Sequence, residues 1–144
     1  MEKRENFSSE PATVLSERIK AGNLFAVPCP SRDVLKHVCS KWGALILLAL
    51  RGGTHRFSEL RHKMGGVSEK MLAQSLRALV EDGFVSRVSY PVVPPVVEYT
   101  LTELGSEVAE HVTALADWIE INLPRVLEAR QIGGGVVEEE AVGR

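Results

Sequence analysis

Cysteine is scarce in this chain: there are two, Cys29 and Cys39. That is too few for a disulfide scaffold or a four-cysteine zinc site. The four histidines, His37, His55, His62 and His111, share no metal-binding spacing such as H-E-x-x-H, so no metal and no cofactor is expected. Long apolar runs are also missing. The longest, Ala44–Leu50, has seven residues, far below the ~18 that a membrane helix needs. Residues 1–10 are polar and mixed in charge, with no secretory signal visible, so a cytoplasmic location is expected. Charge of one sign is lacking too: 17 Lys+Arg stand against 19 Asp+Glu, for a net −2. Taken whole, that number argues against a nucleic-acid protein. The 144 residues, 44% apolar and 25% charged, suit one globular domain and exclude collagen, coiled-coil rod and wholly disordered chain.

What is present is a run of helix signals. Residues 1–27 read as a polar, partly flexible extension with one short amphipathic stretch, Val14, Leu15, Arg18 and Ile19. Pro28 and Pro30 stop it, since proline disfavours helix at the residue before it. Ser31 is the expected N-cap of a first helix, with Asp33 in its first turn. Lys41-Trp42-Gly43 leads into a second, apolar helix over 44–50, closed by Arg51-Gly52-Gly53. Ser58 is the expected cap of a short third helix, broken by Gly65-Gly66. Ser68 caps a fourth, whose Leu72, Leu76, Leu79 and Val80 form an amphipathic stripe, and Asp82-Gly83 ends it.

Residues 84–90 and 96–101 are rich in strand formers and flank a loop with three prolines, which predicts a hairpin. Thr102 caps the last helix. Leu104, Val108, Val112, Leu115, Ile119 and Leu123 step along it for about five turns. Gly133-Gly134-Gly135 is the expected stop, followed by a disordered acidic tail over 132–144. The expected fold is α+β, mostly α. It is a winged helix-turn-helix over 28–131 with a two-stranded β-wing and a long C-terminal dimerisation helix.

This order of elements suits DNA reading. A helix fits the major groove, and the residues near its N-terminus reach base edges. The candidates on the fourth helix are Ser68, Glu69, Lys70, Met71, Gln74 and Arg77. Lys70 and Arg77 suit phosphate or guanine, and Gln74 suits adenine. Arg56, Ser58, Arg61 and Lys63 lie on or beside the preceding helix, which in such motifs crosses the backbone; Arg87 and Tyr90 lie on the wing. Taken singly, such residues are more often part of a solvated face, and it is the full order of elements that is specific. The charge is also split along the chain. Residues 51–90 hold seven basic and four acidic side chains, and residues 91–144 hold three and ten. The acid lies on the last helix and tail, away from the expected reading face.

Several stretches together carry a family resemblance. They are Cys29-Pro30, Lys41-Trp42-Gly43, Arg56–Arg61, Val67–Leu72, Leu76–Gly83 and Tyr90-Pro91 through Pro94–Thr102. Over residues 28–121 the chain resembles the HxlR-type transcription regulators, a branch of MarR-like winged-helix proteins. The resemblance implies a homodimer that binds a double-stranded DNA operator and controls transcription. It implies that the fourth helix is the recognition helix. It also assigns the last helix to the dimer interface, where Leu104, Val108, Val112, Leu115, Trp118 and Ile119 are the candidates. The breadth of that helix's apolar surface, with Ile121 added, points the same way.

The resemblance further implies an oxidant- or electrophile-sensing cysteine near the start of the first matched helix, the place of Cys29. A helix N-terminus and the nearby Arg32 and Lys36 favour a reactive thiolate there. The other reading of Cys29 is a small buried residue. Cys39 departs from the family pattern and is expected to face the core beside Leu35. An internal Cys29–Cys39 bond is disfavoured, since ten residues of helix put them about 12 Å or more apart against a limit of ~7 Å. A bond between subunits stays open.

Two other function classes compete with this one. A winged helix can serve as a protein-interaction module without binding DNA. An enzyme would need a nucleophile–base pair, paired carboxylates or a phosphate loop. None is visible, and Gly133-Gly134-Gly135 is not followed by Lys and Ser or Thr.

Overall fold

Leu72, Leu76 and Leu79 recur every three or four residues, and in the computed structural model all three are buried on one helix face. The structure describes Val14, Glu17 and residues 30–142, with side chains as far as Gly133. Cys29 and nearly all of the N-terminal extension lie outside the described residues. The elements run α1 (Pro30–Cys39), α2 (Lys41–Leu50), β1 (His55–Arg56), α3 (Phe57–Lys63), α4 (Glu69–Glu81), β2 (Val85–Tyr90), β3 (Val96–Leu101) and α5 (Glu103–Val142).

The apolar α2 is the hub. It packs on α1, α3, α4, α5 and β3. Its Ile46, Leu47 and Leu50 join Leu60, Met64, Val67, Leu72, Leu76, Leu79, Phe84, Val85, Tyr99 and Ala109 in one core. Each fully buried Leu or Ile contributes about 1.5–3 kcal/mol. Local chemistry sets the joints. Ser68 Oγ accepts from the Met71 N–H at 3.1 Å, as expected of a cap. Thr102 Oγ1 accepts from the Gly105 N–H at 3.0 Å and donates to Gly83 O at 2.6 Å, so one hydroxyl caps α5 and ties it to the end of α4. That end is a Schellman motif: Phe84 N–H bonds Leu79 O at 2.9 Å, and Gly83 N–H bonds Val80 O at 3.0 Å. Gly83 supplies the left-handed φ of 84° that the motif requires.

The hairpin pairs Val85 with Leu101 through Tyr90 with Val96. The expected two strands are joined by a third. His55 and Arg56 pair antiparallel with Tyr99 and Glu98, giving the order β1-β3-β2. A two-residue strand carries no periodicity, which is why the sequence hides it.

Four further expectations are corrected. Ser31 is the second residue of α1, not its cap, because Pro30 takes the first helical position, where its missing N–H costs nothing. Ser58 is likewise inside α3. The helix begins at Phe57, and the Glu59 carboxylate accepts from the Arg56 N–H at 2.8 Å. Cys39 is exposed rather than in the core. Val34 and Val38 take the inner face of α1. Leu35 and Cys39, each one residue further round, point outward, and Ser40 turns the chain into α2 by capping it. Finally, α5 does not stop at Gly133. It passes through Pro124 and runs 40 residues to Val142, where a disordered tail was expected. Glycine lowers helix propensity by about 1 kcal/mol without forbidding the conformation.

Candidate nucleic-acid interface

The reading head is built on α3, the turn after it, and α4. Burial of Leu72, Leu76 and Leu79 fixes which face of α4 looks inward. The opposite face presents Lys70, Gln74 and Arg77, at offsets of four and seven residues, all exposed. Ser68, Glu69 and Met71 are exposed at the helix N-terminus. Lys70 and Arg77 make no ion pair or hydrogen bond within the described chain, and neither does Arg87.

Other cations are held. Arg61 Nη1 bonds Glu69 Oε1 at 3.0 Å, bridging the end of α3 to the start of α4. Lys63 Nζ donates to His55 Nε2 at 2.8 Å. His55 is itself buried, and its other nitrogen, Nδ1, lies 2.7 Å from Gly53 O. Nδ1–H therefore donates to that carbonyl and leaves Nε2 free to accept. Sequence reasoning missed His55. It sits between a glycine turn and Arg56, with no spacing to mark it. It also missed the clasp of His37 Nδ1 on Asp82 Oδ2, 2.7 Å across 45 residues, which ties α1 to the end of α4.

On the wing, Arg87 and Tyr90 part company. Arg87 pairs in register with buried Tyr99 and turns toward α4. There it lines a concavity of about 430 Å³ with Arg77, Ala73, Val80, Glu81 and Tyr99. Tyr90 is on the other face with Glu98, whose carboxylate, as an acceptor for the phenol and by its charge, holds that phenol above the ordinary value of 10.0. Ser58 and Arg56 are exposed beside the head.

The long helix divides its apolar surface. Ala109 is buried, and Val108 and Val112 pack on the subunit's own core. Leu104, Leu115, Trp118 and Ile119 stay 45–56% exposed, and Ile121 is 77% exposed.

A family model, HxlR-like helix-turn-helix, matches residues 37–126. The chain belongs to the HxlR-like family. The matched range takes in the whole reading head, the wing and α5 as far as Val126. YtfH of Escherichia coli K12, described as an HTH-type transcriptional regulator, is 71% identical over 116 residues, 81% of this chain and 92% of that protein. A solved structure of ytfH from Salmonella typhimurium is 73% identical, with a TM-score of 0.72 over 76% of this chain and 97% of that one. HypR in its reduced form, described as a redox regulator, is 36% identical, with a TM-score of 0.63 over 70% of this chain and 99% of that one. Within this family frame the winged helix-turn-helix is the shared architecture. Among the described residues no carboxylate pairs with the exposed Lys70, Arg77 or Arg87 of the reading head and wing.

Proposed function

We propose that this chain is a dimeric, sequence-specific DNA-binding transcriptional regulator that acts in the cytoplasm on a double-stranded operator. The observation that carries this reading is the exposed row of Lys70, Gln74 and Arg77. It lies on a helix whose N-terminus is capped by Ser68 and which stands beside a β-wing. In this reading α4 enters the major groove. Gln74 faces adenine, Lys70 and Arg77 face guanine or phosphate, and Met71 offers apolar contact. Ser68 and the first N–H groups of α4 hold a phosphate. Arg56, Ser58 and Arg61 meet the backbone from α3, and Glu69 tempers Arg61. Arg87 and Tyr90 flank the groove from the wing.

Two subunits join through the exposed part of α5, with Leu104, Leu115, Trp118, Ile119 and Ile121 at the interface and Val108 and Val112 as its supporting floor. A two-fold dimer sets half-sites about one helical turn apart. A redox response through Cys29 belongs to the same reading, by its place near the start of α1 and by the likeness to HypR. It is tested with Cys29→Ser, whose operator affinity should cease to respond to diamide.

The DNA reading is tested by selecting bound duplexes from a randomised library and titrating salt on the winner. The expected result is a palindrome. In Lys70→Ala the slope of log affinity against log salt should flatten by about two for the dimer, one per subunit. Selection that enriches no sequence would overturn the reading.

A further inference from the structure

The tip of the wing is the least charged part of the reading face. From Val88 to Val97 there is no Lys, Arg, Asp or Glu, while Val92 is 49% and Val93 99% exposed. Val88 and Tyr90 are each 43% exposed on the outer face below it. Backbone donors are nearly absent as well. Pro91, Pro94 and Pro95 have no N–H, and the Val92 N–H is spent on Tyr90 O at 2.9 Å. Arg87 is turned down toward α4. Between Pro91 and Pro95 the tip therefore has no side chain that neutralises phosphate, and the Val93 N–H is its one backbone donor left for a base edge.

What it can do is make apolar contact. The six-residue ladder carries it roughly 20 Å from the base of the hairpin. That reach suffices to pass a phosphate ridge beside a major groove about 12 Å wide and enter a flanking minor groove about 6 Å wide. A stiff, proline-bearing β-ribbon tip is suited to push between base steps there.

We infer that Val93 and Pro94 form an apolar wedge that enters the minor groove outside each half-site and bends the operator. This rests on the DNA reading above. The wedge favours flexible pyrimidine–purine steps at the flanks, a sequence preference without base hydrogen bonds.

The experiment measures the bend of the selected operator by energy transfer between its ends, with affinity and salt slope, for the wild-type chain, Val93→Ser/Pro94→Ser and Val93→Lys. Val93 touches solvent on almost every side, so the variants should melt with the wild type. The wild type should bend DNA by about 20–90°. The serine variant should lose most of the bend and about tenfold in affinity, with the salt slope unchanged. Val93→Lys should regain affinity and steepen the slope by about two per dimer without restoring the bend. A straight operator under the wild type, or an equal bend under the serine variant, overturns the wedge and leaves the DNA reading intact. Lost regulation in cells with bend and affinity unchanged also overturns it, in favour of a protein contact at the tip. A wild type that binds no duplex overturns both.

Discussion

Arg61, in the last turn of α3, and Glu69, the first residue of α4, face each other across the helix-turn-helix with 3.0 Å between Nη1 and Oε1. Their side chains are 48% and 71% exposed, so the pair is worth at most about 1 kcal/mol. A bond that weak is easily traded for a phosphate. In the proposed reading Glu69 thus places a negative charge on the DNA-facing side, where it would compete with phosphate for Arg61.

Glu69→Gln should release Arg61 and remove that charge. Affinity for random-sequence duplex at low salt should rise several-fold, while the unfolding free energy falls by about 1 kcal/mol or less, from the lost pair and the lost carboxylate at the helix N-terminus. Fluorescence anisotropy and a thermal melt measure both. Unchanged affinity would mean that Arg61 and Glu69 stay paired, or stay away, when DNA is bound.

The dimer is tested at Trp118, which is 56% exposed and lies on the part of α5 beyond Ala109. Trp118→Glu should leave the subunit folded, because Ala109, Val108 and Val112 still seat α5 on the core. It should shift the sedimentation coefficient to that of a monomer and, with it, abolish tight operator binding. A variant that still sediments as a dimer would place the interface elsewhere.

These sites differ in how far the chain's pattern reveals them. The row Leu72, Leu76 and Leu79, the Ser68 cap and the Gly83 stop all lie within sixteen residues, and each acts on its neighbours in sequence. Local pattern therefore reveals α4 and its exposed face. The same holds for Thr102 and the hairpin. What stays hidden is made by residues far apart. β1 exists only because His55 and Arg56 meet Tyr99 and Glu98. The His37–Asp82 clasp and the Lys63–His55 bond have no spacing to betray them. The outward turn of Cys39 is hidden for a related reason. Valines and a leucine alternate round α1, and only the packing against α2 decides which pair faces in. The triple glycine misled by averages, since a weak helix former is not a stop.

Two glycines of α5 should respond with opposite signs to alanine. At Gly105 a Cβ would lie 1.8 Å from Phe84 O and 2.8 Å from Phe84 C. Backbone cannot yield as a side-chain tip does. Gly105→Ala should destabilise by about 1–3 kcal/mol despite its better helix propensity. At Gly133 a Cβ meets nothing within 4 Å. Gly133→Ala should strengthen the helix by up to about 1 kcal/mol. Chemical denaturation of the two variants beside the wild type decides it. A Gly105→Ala protein as stable as the wild type would mean that α5 and the 84–85 segment are not held this close.

The last prediction concerns the wing's own electrostatics. The Glu98 carboxylate, first as a hydrogen-bond acceptor for the Tyr90 phenol and then by its charge, raises that phenol's pKa above 10.0. The neutral phenol can donate to that carboxylate, whereas a phenolate would be repelled by it. The folded chain thus keeps the proton to higher pH than the unfolded chain. The resulting stability is fully present below about pH 10 and is lost as pH rises through the folded value. The chain has two tyrosines, so Tyr99→Phe leaves Tyr90 as the single phenol to follow by ultraviolet absorbance. In that background Glu98→Gln should bring the titration midpoint down toward 10.0. It should also raise operator affinity, since a carboxylate beside the wing repels the phosphates that Arg87 would approach. If the midpoint stays where it was, Glu98 is not the group that holds the phenol, and the affinity change would need another cause.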